Sequence, residues 1–309
     1  MSSRTLEYTV PPEKDGARVR SVLQGALGLS AGLVTRLKHR PGAVRVNGVP
    51  ARTIDIVHAL DVIEVDVGDA RPGAFAPAGP ALDVAWEDED LIIINKPAGM
   101  AVHGRSDRHE PTVGAMVAAY LGTNAPFHPV NRLDRGTTGL MCAAKNGYMH
   151  ERLRRILHTD EFRREYLAIC VGVPERAEGV IDVPIARVGE EKRFGVDPQG
   201  APSLTRYETL LTWNGFSLVR ARPETGRTHQ IRVHMASIGH PVAGDDLYGG
   251  GTDRTAQQML RCTSVRIVSP VLGTDKTVDA PFSAAQQMLL PALFDGAAQG
   301  DGQPPGCPA

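Results

Sequence analysis

The feature that most constrains the fold is an alternation, from Leu82 to about Phe294, of many short strand-like segments with few helical ones. Two of the strand-like runs flank Asn214-Gly215, a dipeptide typical of tight hairpins. The predicted strands are Leu82–Trp86, Leu91–Asn95, Gly139–Ala144, Tyr166–Val171, Leu204–Trp213 and Phe216–Ala221, and the predicted helices are Val113–Leu121, Tyr148–His158 and His229–Ile238. This pattern predicts an α+β domain around a mainly antiparallel mixed sheet.

The first 68 residues predict a smaller domain of two helices and a hairpin. Apolar residues recur at helical spacing over residues 19–27, and Ser30 is a favourable N-cap for a second helix. Asn47-Gly48 then predicts a hairpin, and Val62–Val67 predicts a last strand. We therefore predict two domains.

The boundaries follow from composition. Residues 1–68 form the small predicted domain, and residues 69–81, rich in Gly, Ala and Pro, predict a linker. Residues 82–294 are the larger domain, and the Gly/Pro/Gln-rich tail of residues 295–309 is predicted to be disordered.

Charge is distributed unevenly along the chain. The net charge of -1 does not suggest nucleic acid, yet residues 13–60 contain eight Arg and Lys against three acidic residues. Arg36 and Arg40, four apart on the second helix, are predicted to project together into solvent, with Lys38 beside them. Such a surplus favours phosphate binding, although surface helices of other proteins carry similar charge.

The cysteines and the N-terminus bear on the cellular compartment of the protein. The four cysteines are scattered without metal-ligand spacing, which is typical of reduced thiols. The N-terminus lacks an apolar leader segment, and no run of about eighteen apolar residues occurs. We expect a soluble cytoplasmic protein with no membrane partner.

The densest polar cluster is His128–Gly139, in which Arg132 and Arg135 flank Asp134. Nearby positive charge favours the ionised form of a carboxylate. Taken alone, the cluster is equally compatible with a polar loop that holds an ordinary salt bridge.

A second cluster, Arg222–His234, has its glycine and threonines where a strand turns into a helix. On that helix Ile231, Met235 and Ile238 predict the buried stripe, and Arg232 lies at its edge, within reach of a carboxylate on a neighbouring loop. His229 and His234 are five apart, the wrong spacing for one helix face, so no metal site is expected.

Four segments in order resemble the RluA-type pseudouridine synthase family, over residues 82–282. They are Asp90–Met100, Arg132–Gly139, Arg164–Ala168 and the stretch from Gly226 through Gly249. The N-terminal block is similar to the small RNA-binding domain, named for a ribosomal small-subunit protein, that often precedes this catalytic domain. This second resemblance rests on Ser30, Asn47-Gly48 and the strand near Val62.

The resemblance implies an enzyme that isomerises uridine in RNA without cofactor or metal. Asp134 matches the family's essential aspartate, and Arg232 matches the arginine that forms a salt bridge with it. Tyr166 resembles the tyrosine that packs on the target base and helps to deprotonate carbon 5. Arg132 resembles the residue that enters the RNA stack where the target nucleotide is flipped out. Further RNA contacts are expected from Asn131, Arg135, Arg227, His229, Gln230 and Lys96.

Three positions depart from the family pattern: Asn131 replaces His, Thr138 replaces Ser, and Arg164 replaces Lys. The expected substrate is ribosomal RNA of the large subunit, with tRNA as the alternative, and the expected state is a monomer. Two other functions stay open at this point. One is a catalytically silent RNA-binding or ribosome-assembly factor; the other is a base deaminase, which the lack of a His/Cys zinc set disfavours.

Overall fold

The N-terminal block, residues 4–69, contains two helices and two small sheets. The structure is a computed structural model that describes residues 4–69, 73, 75–103, 111–122, 126–189, 193–253, 255–282 and 286–287. The first elements are β1 (Thr5–Thr9), β2 (Ala17–Arg18), α1 (Val19–Gly25), α2 (Ala31–Lys38), β3 (Val44–Val46), β4 (Val49–Pro50), β5 (Ile56–Val57) and β6 (Val62–Asp66). Their larger sheet has the antiparallel order β1-β6-β3-β4, and β2 pairs with β5.

Local signals explain these elements. Ser30 Oγ accepts a hydrogen bond from the Leu33 amide at 3.1 Å, which confirms the predicted N-cap of α2. Asn47 and Gly48 have φ values of 52° and 77° and form the predicted turn between β3 and β4. Strand β1 was not predicted because it carries few buried residues; it pairs with β6 along its whole length.

Buried contacts join this block to the rest of the chain. The phenol ring of Tyr148 packs among the apolar residues of the N-terminal block, and its hydroxyl donates to the Leu27 carbonyl at 2.8 Å. Arg4 donates to both carboxylate oxygens of buried Asp90, at 2.9 and 3.0 Å. The predicted domain boundary stays a prediction, and the predicted tail, residues 295–309, lies outside the described residues.

The larger part is built on a ten-stranded sheet. Its elements are β7 (Val84–Glu87), β8 (Leu91–Lys96), α3 (Val113–Leu121), β9 (His128–Pro129), β10 (Thr138–Ala144), α4 (Gly147–Ile156), β11 (Phe162–Val171), β12 (Glu178–Asp182), β13 (Ile185–Val188), β14 (Arg193–Val196), β15 (Leu204–Trp213), β16 (Phe216–Pro223), α5 (Gln230–Ser237), β17 (Leu260–Val268) and β18 (Asp275–Asp279). The sheet order is β12-β15-β16-β11-β17-β10-β8-β7, with β18 on β17 and β9 on β10, while β13 and β14 form a separate hairpin. Its pairings are antiparallel except for β10 with β17, which is parallel, so the predicted mainly antiparallel α+β architecture is confirmed.

Strand β10 is the innermost element, and every one of its residues is buried. It begins four residues after Asp134 and therefore anchors the loop that carries this carboxylate. Gly139 lies at the start of β10 with φ 98°, and an added Cβ there would lie 2.1 Å from the Cys262 carbonyl oxygen. The close approach of β10 to β17 thus requires glycine at this position.

Helix α5 differs from its prediction. Six consecutive residues from Gln230 to Met235 are buried, so the helix is enclosed on all sides. The prediction that Ile238 belongs to the buried stripe is wrong, because this residue is 36% exposed beyond the end of α5. Within the described part of the chain, no helix is long and apolar enough to cross a membrane.

Candidate active site

A cavity of about 830 Å³ lies where the loop before β10 meets the turn that enters α5. Among the described residues that line it, six are arginines and one is acidic. The arginines are Arg132, Arg135, Arg154, Arg164, Arg227 and Arg232, and the acid is Asp134. A concave surface with this excess of positive charge attracts polyanions such as nucleic acid.

Arg232 joins two carboxylates at the cavity floor. Its Nη1 donates to Asp134 Oδ2 at 3.1 Å, while Nε and Nη2 donate to Asp245 at 2.6 and 2.9 Å. Burial lowers the pKa of Arg232, but the hydrogen bonds and charges of Asp245 and Asp134 outweigh it and raise that pKa overall. The contact that the resemblance implies between Arg232 and Asp134 is therefore present, through the residue at the edge of α5.

Asp245 is 3% exposed and faces the cavity only through Arg232. Its carboxylate makes no cap to the short helical turn of residues 246–248 that follows it. A buried guanidinium is stable only when its charge is paired, and two carboxylates share that task here. Asp245 thus fixes the direction from which Arg232 approaches Asp134.

Tyr166 lines the same cavity from the central part of the sheet. The register between β11 and β17 shifts between Glu165 and Tyr166, where Thr263 of β17 is left out of the pairing and β11 continues without an extra residue. Burial, followed by the neighbouring Cys262 thiol, raises the pKa of the Tyr166 phenol above its ordinary value. The phenol is therefore neutral at physiological pH, which suits a ring that packs on a base better than one that acts as an anionic base.

His229 stands at the N-terminus of α5 in a left-handed conformation, with φ 58°. Its Nδ1 lies 2.8 Å from the Tyr248 hydroxyl, and its Nε2 lies 4.0 Å from Asp134 Oδ2. The Tyr248 hydroxyl also accepts from the Phe194 amide at 3.1 Å. Burial lowers the pKa of His229. A neutral imidazole with its proton on Nε2 satisfies these contacts and directs an N–H group towards Asp134.

Three of the predicted RNA contacts are exposed at the rim of the cavity. Arg132, Arg135 and Arg227 line it with solvent-accessible side chains. Arg135 Nε donates to the Gly99 carbonyl at 2.8 Å, and Arg227 Nε donates to the Pro202 carbonyl at 3.1 Å. These backbone contacts orient the guanidinium groups at the mouth of the cavity.

Two other residues that were predicted to contact RNA, Lys96 and Gln230, are buried. Lys96 is 1% exposed, and its ammonium donates to the carbonyls of Pro97, Met100 and Arg135 at 2.9, 2.9 and 3.2 Å. Burial lowers its pKa to about 8. Gln230 is also buried, and its side-chain oxygen and nitrogen both bond to protein groups around Thr225 and Leu204. Lys96 holds loops together and does not line the cavity, whereas Gln230 lines the cavity with its polar atoms already bonded to protein groups.

Asn131 borders the cavity and also contacts the central strand β10. It lines the cavity but is only 3% exposed, and its Oδ1 accepts from the Cys142 amide of β10 at 2.8 Å. Its Nδ2 is buried without a hydrogen-bond partner among the described residues. Asn131 therefore ties the Asp134 loop to the central strand.

The N-terminal cations lie outside this cavity. Arg36 and Lys38 are exposed on α2, as the sequence predicts. The prediction that Arg40 projects alongside Arg36 is wrong: Arg40 lies beyond the end of α2, forms an ion pair with Asp66 and donates to the Gly68 carbonyl at 2.9 Å. The helix ends two residues too early for the two arginines to share a face.

Two roles at the site were not predicted from the sequence: the ion pair of Asp245 with Arg232, and the contact by which the Tyr248 hydroxyl orients His229. The turn Gly244–Gly249 was the available signal for both, since its match to the family pattern continues past α5. Arg164, noted from the sequence only as a departure from the family pattern, is buried. Among the residues that the structure describes, no three His, Cys, Asp or Glu side chains are grouped as metal ligands would be.

Comparison with known proteins gives a consistent result. The sequence profile described as RNA pseudouridylate synthase matches residues 90–237. The chain is 33% identical over 298 residues to "Uncharacterized RNA pseudouridine synthase YhcT" of Bacillus subtilis (strain 168), covering 94% of this chain and 98% of the relative. It is 37% identical over 237 residues to "Ribosomal large subunit pseudouridine synthase D" of Escherichia coli (strain K12), covering 71% and 72%.

A solved structure, "Human RNA Pseudouridylate Synthase Domain Containing 1", is similar with a TM-score of 0.55 at 28% sequence identity. It covers 66% of this chain and 86% of that one.

Proposed function

Since the chain belongs to the RNA pseudouridylate synthase family and is itself a pseudouridine synthase, we propose that Asp134 is its catalytic carboxylate. We propose further that its substrate is structured RNA, and specifically ribosomal RNA of the large subunit. The observation that carries the first proposal is a carboxylate paired with Arg232 in a cavity whose other charged lining residues are arginines.

The reaction explains why one carboxylate suffices. The bond from ribose C1′ to N1 of uracil breaks, a bond from C1′ to C5 forms, C5 loses a proton and N1 gains one. Atoms and electrons balance within the nucleotide, so no external oxidant or reductant enters. A glycosidic bond breaks through an electron-poor sugar, which an adjacent anion stabilises or attacks. Attack on the sugar, attack on the base and removal of a ribose proton are the three steps open to this carboxylate, which Arg232 Nη1 holds at 3.1 Å.

Other residues take supporting roles. Tyr166 packs on the target base as a neutral ring, and Arg232 holds the Asp134 carboxylate in place. Arg132, exposed at the rim, occupies the gap in the RNA stack that the flipped nucleotide leaves. Arg135 and Arg227 neutralise flanking phosphates, and His229 donates from Nε2 towards Asp134 or the bound nucleotide.

Support for ribosomal RNA comes from two directions. Similar proteins over most of the chain carry the name "Ribosomal large subunit pseudouridine synthase D". The exposed Arg36 and Lys38 of α2 add positive charge outside the cavity, where a larger folded RNA extends beyond the target nucleotide. We propose that the N-terminal block binds RNA in this way.

The test is isomerisation of unmodified transcripts. Purified wild-type protein and the Asp134→Asn variant are incubated without cofactor with large-subunit ribosomal RNA and with tRNA, and pseudouridine is mapped chemically at single-nucleotide resolution. Asp253→Asn, at an exposed aspartate, is the matched control. We expect product on ribosomal RNA with wild type and with the control, and none with Asp134→Asn, whose affinity stays within about threefold.

Each other outcome changes a specific part of the proposal. Turnover by Asp134→Asn removes the catalytic role from Asp134, and a loss of RNA binding in that variant makes the role one of affinity. Product on tRNA alone changes the substrate. No product on either RNA, with binding intact, favours the silent RNA-binding factor.

A further inference from the structure

Arg164 is a buried cation without a carboxylate partner. It is 8% exposed on β11, and its Nε is enclosed without a hydrogen-bond partner among the described residues. Within that part of the chain no carboxylate lies within 4.0 Å of its guanidinium, whose central carbon lies 5.9 Å from the centroid of the Phe162 ring. A buried guanidinium without a carboxylate partner is less stable than a paired one, and it favours the binding of an anion.

The nearby acids are already occupied. Asp160 pairs with Arg163 at 2.8 Å, Glu224 pairs with Arg206 at 2.5 Å, and Glu165 pairs with both Arg220 and Arg222. These carboxylates line a second cavity, of about 860 Å³, beside the active-site cavity. The exposed arginines of this second cavity are thus paired with neighbouring carboxylates, whereas the buried Arg164 is not.

The position of Arg164 links the two cavities. Leu157, His158, Arg164 and Pro223 line both of them, so the guanidinium lies in the wall that separates the two spaces. At the Gly226 turn, an added Cβ would lie 3.4 Å from His158 Cε1 and 3.8 Å from Arg164 Nη1, which places the three residues side by side. The pKa of His158 is lowered, first by burial and then by the charge of Arg164, as expected where no acid screens that charge.

Arg164 also has a fixed relation to Tyr166. The two side chains lie two residues apart on β11 and both line the active-site cavity, because alternate strand residues face the same side. Two residues of strand span roughly 6.6 Å. A base that packs on Tyr166 therefore brings its own sugar-phosphate backbone into the region of Arg164.

We propose that Arg164, with the Gly226 turn beside it, is an anion subsite that binds one phosphodiester next to the target nucleotide. This inference rests on the proposed function, since the anion is taken to be part of the RNA substrate. The guanidinium is kept buried and unpaired in the free enzyme, and the phosphate supplies its counter-charge on binding. RNA recognition then recovers the free energy that the folded protein loses at this position.

The test compares Arg164→Met with Arg164→Lys and with the control Arg155→Met. Arg155 is exposed on α4, pairs with Glu151 and lines neither cavity. Dissociation constants for in vitro transcribed large-subunit ribosomal RNA are measured by filter retention over a range of salt concentrations. Urea unfolding midpoints of the same proteins are measured in parallel.

We expect Arg164→Met to weaken binding roughly tenfold or more. The slope of log affinity against log salt should decrease in magnitude by roughly 0.7 to 0.9, the loss of one phosphate contact. Its urea midpoint should equal or exceed that of the wild type, because an unpaired buried charge has been removed. Arg164→Lys should retain the salt slope, and Arg155→Met should change neither quantity.

An unchanged salt slope in Arg164→Met overturns the proposal. A lowered urea midpoint, with wild-type affinity per folded molecule, also overturns it and makes Arg164 a structural residue. Filter retention requires no turnover, so the subsite is tested even if the wild type forms no pseudouridine. The absence of pseudouridine would contradict the proposed substrate, and the dissociation constants would then decide the role of Arg164.

Discussion

Asp245 holds Arg232 through both carboxylate oxygens, with Oδ2 2.6 Å from Nε and Oδ1 2.9 Å from Nη2. Only Nη1 of this guanidinium contacts Asp134. The Arg232 side chain is 10% exposed and that of Asp245 is 2% exposed, so the pair is a rigid internal support for a carboxylate that itself faces the cavity. Asp245 is a positioning residue that acts through Arg232.

Replacing Asp245 should damage both stability and turnover. Asp245→Asn leaves a buried guanidinium with one carboxylate partner, and we expect the free energy of unfolding to fall by about 3 kcal/mol. Arg232 also loses its fixed direction, and a small displacement of a catalytic group costs roughly 100-fold in rate. Urea unfolding and single-turnover isomerisation measure the two effects. Asp246→Asn, at the exposed neighbour, is the control; wild-type behaviour of Asp245→Asn contradicts the positioning role.

Tyr166 should remain protonated in strongly alkaline solution, because burial raises its pKa. In the folded protein at about pH 10.5, other tyrosines contribute tyrosinate absorbance and Tyr166 does not. We therefore expect Tyr166→Phe to leave that absorbance unchanged. A lower absorbance in Tyr166→Phe means that the phenol ionises readily and is available as an anionic base.

Because Lys96 is buried, the free energy of unfolding should rise with pH. The pKa of Lys96 is lowered to about 8 in the folded state, below the ordinary lysine value of 10.5. Between these values the unfolded chain binds more protons than the folded one, so the free energy of unfolding increases with pH, by up to about 3 kcal/mol. Urea unfolding from pH 8 to 10 measures this rise. It should disappear in Lys96→Met and persist in Lys38→Met, whose lysine is exposed on α2.

His234 should contribute a loss of stability in acid. The imidazole is fully buried, with Nδ1 2.9 Å from Thr205 Oγ1 and Nε2 3.1 Å from the Val183 carbonyl. Burial lowers its pKa, so below the ordinary histidine pKa the unfolded chain takes up a proton that the folded chain refuses. The free energy of unfolding is therefore expected to decrease from pH 7 to pH 5.

The matched comparison for this prediction is between two histidine variants. His234→Gln should show a smaller decrease over the same interval, and His39→Gln, at an exposed histidine, should follow the wild type. Equal pH dependence of the two variants contradicts the assignment to His234.

Local patterns were sufficient for many elements of this fold. Helix α3 occupies the predicted residues Val113–Leu121, and the hairpin at Asn214-Gly215 joins β15 and β16. Strand β17 was missed although it lies between β10 and β11, because Arg261 and Arg266 interrupt its apolar residues. Charged side chains of this kind are buried by partners distant in sequence, which a local pattern does not contain.

The same limit applies to the site. Asp134, Tyr166 and Arg232 were proposed from motif positions, and the structure brings all three to one cavity. Lys96 was expected to contact RNA because it lies in a segment that resembles the family pattern, yet its acceptors include the Arg135 carbonyl, 39 residues away. Asp245 was not predicted as the ion-pair partner of Arg232, because the two residues lie 13 positions apart on different elements.

The parallel pairing of β10 with β17 has a consequence for synthesis of the chain. Asp134 is made 98 residues before Arg232, and β17 follows later still. At translation speeds of roughly 5 to 20 residues per second, about 5 to 20 s separate the carboxylate from its cation. During that interval β10 has its neighbour β8 but lacks β17, and Asp134 lacks the guanidinium that Arg232 supplies. The parallel pairing that anchors the Asp134 loop can therefore form only after β17, Leu260–Val268, has been synthesised.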